Sequence, residues 1–183
     1  MKNFKLNRED VLFTFIDIQD KLLKAMYNSK DIVKNGNVLA NVAKIIEAES
    51  LFTVQYPKGL GYTNEEVKAP LKDKKEFDKL TFNSLDDEKI KKEIERLNKK
   101  QIILCGMEVH ICVFQTVRAL LDEGYEVFIV EDAVGSRTEK NAKNGIEMLR
   151  EMGAIITNTE TVLFDLAGIA GTEEFKTLQK LII

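Results

Sequence analysis

Five short apolar runs, set between stretches of helical periodicity, leave this chain few ways to fold. The runs are "VLFTFIDIQ" (Val11 to Gln19), "LFTVQ" (Leu51 to Gln55), "QIILCG" (101–106), "YEVFIVEDA" (125–133) and "AIITNT" (154–159). Their continuity in Val, Ile, Leu and Phe suits strands buried on both faces, as in a parallel sheet. Between the first two, "DIVKNGNVLANVAKIIEAES" repeats Ile32, Val33, Leu39, Val42, Ile45 and Ile46 at helical spacing, with Gly36 weakening its first part. "SLDDEKIKKEIERLNKK" predicts a helix capped by Ser84, with acids in its first turn and lysines in its last. "VFQTVRALLDEG" and "TEKNAKNGIEMLREMG" predict helices stopped by Gly124 and Gly153. "TVLFDLAG" and "EEFKTLQKLI" finish the chain as short helices. Strands alternating with helices imply an α/β fold, with a parallel sheet covered on both faces.

At 183 residues the chain is expected to form one domain, 1–183, with no repeat, linker or low-complexity segment. Hydrophobic residues at 44% beside charged residues at 31% describe a folded globule. The net charge of −3, with both signs interspersed, excludes the basic face of a nucleic-acid binder. No stretch reaches the apolar length that spans a membrane, and "MKNFKLNRED" lacks the apolar core of a secretory signal. With two cysteines and no signal, a cytoplasmic setting is expected. The connection "YPKGLGYTNEEVKAPLKDKKEFDKL" holds both prolines and is long enough to be functional or mobile. Its basic run "KDKKEFDKL" is broken by acids and reads as a solvated loop. The apolar ending "LQKLII" can join a contact between copies or fold back on its own domain.

In open α/β sheets ligands bind beyond the carboxyl ends of the strands. The candidates there are Asp17 and Gln19, then Gln55 with Tyr56, then "CGMEVHIC", then "EDAVGSR". No Gly-x-Gly-x-x-Gly or Walker-type loop follows a strand, which argues against those routes to nucleotide binding. Cys112 lies at a helix start, where orphan N–H groups and the helix dipole lower a thiol's pKa. It is either a reactive thiol or a small buried hydrophobe. Cys105 sits inside an apolar run and reads as core. Two cysteines and one histidine, His110, are a poor ligand supply for zinc. His110 reads as a pocket-lining or contact residue. Asp17 is either a general base or a cap, because a buried carboxylate needs a partner. Composition and spacing do not single out Lys79.

These motifs resemble the isochorismatase-like cysteine hydrolases over essentially the whole chain. "FIDIQ" carries Asp17, "KLTFNSL" carries Lys79, "GMEVHICVFQT" carries Cys112, and "EDAVGSR" matches a further segment of that family. The resemblance implies a three-layer α/β/α fold with a central, mostly parallel, Rossmann-like sheet. It also implies a Cys112–Asp17–Lys79 triad and a cis peptide at Met107–Glu108. The backbone N–H groups of Glu108 and Cys112 would form the oxyanion hole, and Gln19, Gln55, Tyr56 and His110 could line the pocket. The metal-dependent relatives carry Asp-x-His after the second strand. Here that region reads "TVQYPKG", so no metal or other cofactor is implied. Relatives that hydrolyse a vinyl ether lack the cysteine, so Cys112 argues against that reaction. Asn83 stands where many relatives have Ser.

The expected function is a metal-independent cysteine hydrolase that cleaves an amide-type C–N bond of a small molecule. The expected partners are that substrate and further copies of the chain, with no nucleic acid and no membrane. Two alternatives remain: a non-catalytic oligomeric binding or scaffold protein, and a thiol protein that responds to oxidants at Cys112.

Overall fold

The computed structural model describes residues 4–183. Its centre is a six-stranded sheet in the order β3-β2-β1-β4-β5-β6. The strands are β1 (Val11–Ile16), β2 (Glu49–Gln55), β3 (Glu76–Lys79), β4 (Gln101–Met107), β5 (Glu126–Gly135) and β6 (Ile155–Thr157), and every pairing is parallel. The helices are α1 (Asp20–Leu23), α2 (Ser29–Ile45), α3 (Pro57–Leu60), α4 (Glu65–Lys68), α5 (Glu88–Leu97), α6 (Cys112–Asp122), α7 (Glu139–Met152), α8 (Thr159–Ala167) and α9 (Glu173–Gln179).

Strand alternation builds two cores. Val11, Phe13 and Phe15 of β1, with Ile103, Cys105 and Met107 of β4, pack beneath α2 and α8. Leu12 and Ile16, with Ile102 and Leu104, pack beneath α5 and α6. Successive strand side chains point to opposite faces, so continuous apolar runs are what a sheet covered twice requires. The result is the expected three-layer α/β/α arrangement. The apolar ending folds back, with Leu178 fully buried and Leu181 and Ile182 packed on the first core.

Two expectations need correction. "KDKKEFDKL" is not a solvated loop throughout, because its Glu76–Lys79 segment is the edge strand β3. Phe77 and Lys79 face inward while Asp78 is exposed. A charged residue at an inward position hides the strand from any hydrophobic pattern. Ser84 does not cap α5. Asp87 does, its side chain accepting from the Lys89 N–H at 2.9 Å. Ser84 is buried in a preceding 3-10 turn and donates its N–H to Thr116 Oγ1 at 3.0 Å, tying that turn to α6. Asn83 caps the same turn by accepting from the Leu85 N–H at 3.0 Å.

The sheet order reverses between β1 and β4, since β1 leads to β2 on one side and β4 to β5 on the other. Crossovers leave in opposite directions there, opening a crevice at the carboxyl ends of the two strands. β1 ends at Asp17 and β4 runs into the turn before Cys112.

Candidate active site

Asp17 follows β1 with φ 56°, a left-handed conformation that costs a non-glycine residue on the order of 1 kcal/mol. Neighbouring backbone holds it. Its N–H donates to Thr53 O at 3.0 Å, and its carbonyl accepts from the Gln19 N–H at 2.8 Å. The carboxylate is 1% exposed and fully engaged. Oδ1 accepts from Thr53 Oγ1 at 2.8 Å, and Oδ2 accepts from Lys79 Nζ at 2.7 Å. Lys79, at the end of β3, is 2% exposed. Its ammonium also donates to Gln55 Oε1 at 2.7 Å and to the Thr81 carbonyl at 3.2 Å. An ammonium has three protons, and all three are used, which is the condition for burying it.

Cys112 opens α6 and is 6% exposed. Burial first, then the charge of Asp17, push its thiol up to about 12; Lys79 opposes them, and a hydrogen bond with Asp17 adds to the rise. The lowering expected from the helix start does not prevail. Removing a thiolate from water and facing it with a carboxylate outweigh a half-charge at a helix end. The resting group is therefore a thiol under the influence of a buried carboxylate. Cys105, in mid-β4, is pushed higher still by burial and sits 3.8 Å from the Thr14 carbonyl in the core.

The turn between β4 and α6 is trans throughout; no cis peptide occurs among the described residues. The implied cis bond at Met107–Glu108 is absent because the chain reverses instead through Glu108, at φ 55°. The Val109 N–H donates to Gly135 O at 2.9 Å and the Ile111 N–H to Glu108 O at 2.8 Å. Among the described residues, the N–H groups of Glu108 and Cys112 have no hydrogen-bond acceptor. Gly106 brings this turn against β1. A Cβ there would lie 2.4 Å from Ile16 O, so no larger residue fits without moving backbone.

The remaining candidates separate. Gln19 is fully buried, and its amide is spent bracing the β2 end: Nε2 donates to Gln55 O at 3.0 Å and Gly61 O at 2.6 Å, while Oε1 accepts from the Gln55 N–H at 2.8 Å. Tyr56 is 51% exposed and lines a cavity of about 430 Å³ that reaches Lys79, bordered also by Asp78, Leu80, Thr81 and Lys89. Gln55 stands behind Lys79, its Nε2 donating to Leu80 O at 3.0 Å. His110 lies on the other flank of the turn, with Nδ1 2.8 Å from Ser136 Oγ, and does not line this cavity. Gln19 likewise does not line it, because its whole amide is bound to backbone.

Sequence reasoning missed Thr53 and Thr81. Thr53 sits as one polar letter within "LFTVQ", with no signal to mark it. Thr81 Oγ1 is buried beside the cavity with no hydrogen-bond partner among the described residues. Among the described residues no group of three or more His, Cys, Asp or Glu is placed to hold a metal ion. No helix among them is long and apolar enough to cross a membrane.

Residues 11–161 match the model of the isochorismatase domain. The chain is 37% identical over 176 residues to the secreted isochorismatase effector Isc1 of Phytophthora sojae, covering 94% of this chain and 83% of that protein. It is similar to the solved structure of the MAR1 ribonuclease from Caenorhabditis elegans, at 31% identity and a TM-score of 0.91, over 97% of this chain and 92% of that one. The YcaC gene product of Escherichia coli, described as an octameric hydrolase of unknown specificity, superposes with a TM-score of 0.93 over 100% of this chain and 93% of its own. At 23% identity that likeness speaks for the fold alone.

Proposed function

Because this chain belongs to the isochorismatase family, we propose that it is a cysteine hydrolase acting on an amide-type C–N bond of a small molecule. The observation that carries this reading is the buried Asp17 carboxylate, which holds the Lys79 ammonium at 2.7 Å and whose charge acts on the Cys112 thiol. A thiol held up to about 12 is a poor free nucleophile. It becomes a good one when the neighbouring base takes its proton as the new bond forms.

In the first step Asp17 accepts the S–H proton while Cys112 Sγ bonds to the substrate carbonyl carbon. The carbonyl oxygen becomes an oxyanion, met by the unused N–H groups of Glu108 and Cys112. Each such donor is worth about 3 kcal/mol where charge develops. Collapse breaks the C–N bond, the departing amine takes the proton from Asp17, and a thioester remains on Cys112. Asp17 then deprotonates a water that attacks the thioester, and the acid leaves as the thiol regains its proton. Lys79 compensates the negative charge that passes between Asp17, sulfur and oxyanion. No metal or cofactor enters these steps.

A cavity of about 430 Å³, lined by Lys79 but not by Cys112 or Asp17, adjoins the cluster and has the size for a small molecule. The raised thiol weighs against an oxidant sensor, which needs an accessible thiolate. We read the protein as a homo-oligomer, a reading supported by the octameric relative of the same fold; light scattering showing monomer alone at micromolar concentration would remove it.

The test is ammonia release across a library of small carboxamides. Turnover should appear with some member, vanish in Cys112→Ala, and leave a thioester-sized mass on Cys112 when quenched. Turnover that survives in Cys112→Ala would overturn the reading.

A further inference from the structure

The Glu108 side chain has no part in the steps above, yet it is built into a cluster of its own. Its carboxylate is 12% exposed. Oε1 pairs with Arg137 Nε at 2.9 Å, and Oε2 lies 3.5 Å from His110 Nδ1. That Oε2 is buried and accepts no hydrogen bond among the described residues. His110 is fixed in turn: Nδ1 is 2.8 Å from Ser136 Oγ and Nε2 is 3.4 Å from Asn141 Nδ2. Ser136 is fully buried at the end of β5. Gly145 of α7 packs so closely that a Cβ would meet His110 N at 3.1 Å.

Glu108 needs this hold. At φ 55° it occupies a region that an L-residue leaves when free to do so. Its side chain and its N–H branch from neighbouring atoms of one backbone segment. Holding the carboxylate against Arg137 limits how far the Glu108 backbone can turn, and with it the Met107–Glu108 peptide plane.

We propose that the Glu108 side chain, clamped by Arg137, is a positioning device that aims the Glu108 N–H into the oxyanion hole. This rests on the hydrolase reading above. Glu108 and Arg137 are positioning residues through these side chains, and neither side chain touches the reacting atoms. The clamp joins β5 and α7 to the turn, whereas Asp17 and Lys79 belong to the β1 and β3 side. It can therefore be loosened while the base and its cation stay in place.

Two reagents separate aiming from general damage. p-Nitrophenyl acetate acylates a thiol through a tetrahedral oxyanion, expelling p-nitrophenolate and leaving an acetyl group on sulfur. Iodoacetamide alkylates the same sulfur by displacing iodide, with no oxyanion. Mass spectrometry of the Cys112 peptide reads both rates. In Glu108→Gln and in Arg137→Met, acylation should slow about tenfold, as expected for a donor misaimed rather than removed. Alkylation should stay within about twofold of wild type in Arg137→Met, and stay so or rise in Glu108→Gln, since the Glu108 charge is one of the causes that raise the thiol. Arg137→Lys should recover part of the acylation rate. Arg137 is 57% exposed, so its replacements should fold. Acylation and alkylation falling together, or acylation unchanged in both variants, would overturn the proposal and leave the hydrolase reading standing. Wild-type protein that is alkylated but never acylated at Cys112 would sink both.

Discussion

Two ion pairs lie near Cys112, and they differ in burial. Asp17–Lys79 joins β1 to β3, with side chains 2% and 0% exposed. Glu108–Arg137 joins the β4–α6 turn to the end of β5, with side chains 12% and 57% exposed. The first is almost fully buried, with each hydrogen-bonding proton of the ammonium and both carboxylate oxygens engaged. The second keeps one partner in solvent. A buried pair is weakly screened, so its charges act strongly on the Cys112 thiol nearby. A half-open pair is screened and holds geometry more than it sets charge. In the proposed mechanism the same residue chemistry would serve proton transfer on one side and backbone placement on the other.

The largest expected effect comes from opening the buried pair. Lys79→Met keeps the volume and removes the cation, leaving Asp17 buried without its partner. Such a loss costs about 3–5 kcal/mol. Urea unfolding should report it, and hydrolysis should be lost as well. A change below about 1 kcal/mol would mean that water already reaches Asp17, and the contrast between the pairs would collapse.

Next in size is the pH dependence of Cys112 alkylation. Asp17 raises the thiol and Lys79 lowers it. Asp17→Asn should therefore shift the alkylation profile to lower pH, and Lys79→Met should shift it to higher pH, each by about 1–3 pH units. Because the groups titrate together, the midpoints belong to the cluster. Shifts of the same sign would show that the two side chains do not flank the thiol.

The smallest effect belongs to the open pair. Arg137→Met should change unfolding free energy by at most about 1 kcal/mol, because the Arg side of that pair is solvated. A loss as large as that of Lys79→Met would make the two pairs equivalent.

Much of this architecture can be read in the letters. Five of six strands stand out as apolar runs because a doubly covered sheet needs apolar residues at both inward phases. Asp17 and Cys112 stand out because they end or follow such runs. Glu76–Lys79 does not, since half of its inward positions carry a charge and its meaning depends on a partner 62 positions away along the chain. Gln19 shows the opposite failure. It is polar and follows a strand, as a pocket residue would be, but its amide bonds backbone groups that only the fold brings near.

By itself, then, the sequence determined the periodicities, the turn residues and the position of one thiol at a helix start, because these depend on neighbours a few residues apart. Only the tertiary structure decided that Lys79 is buried and paired. It alone raised the helix-start thiol, which the sequence left open between a reactive thiol and a small buried hydrophobe, up to about 12, and set Arg137 against Glu108 with His110 nearby. Burial and charge proximity are properties of three-dimensional packing. They reverse the sign of a local expectation whenever desolvation and a facing carboxylate exceed the field of a helix end.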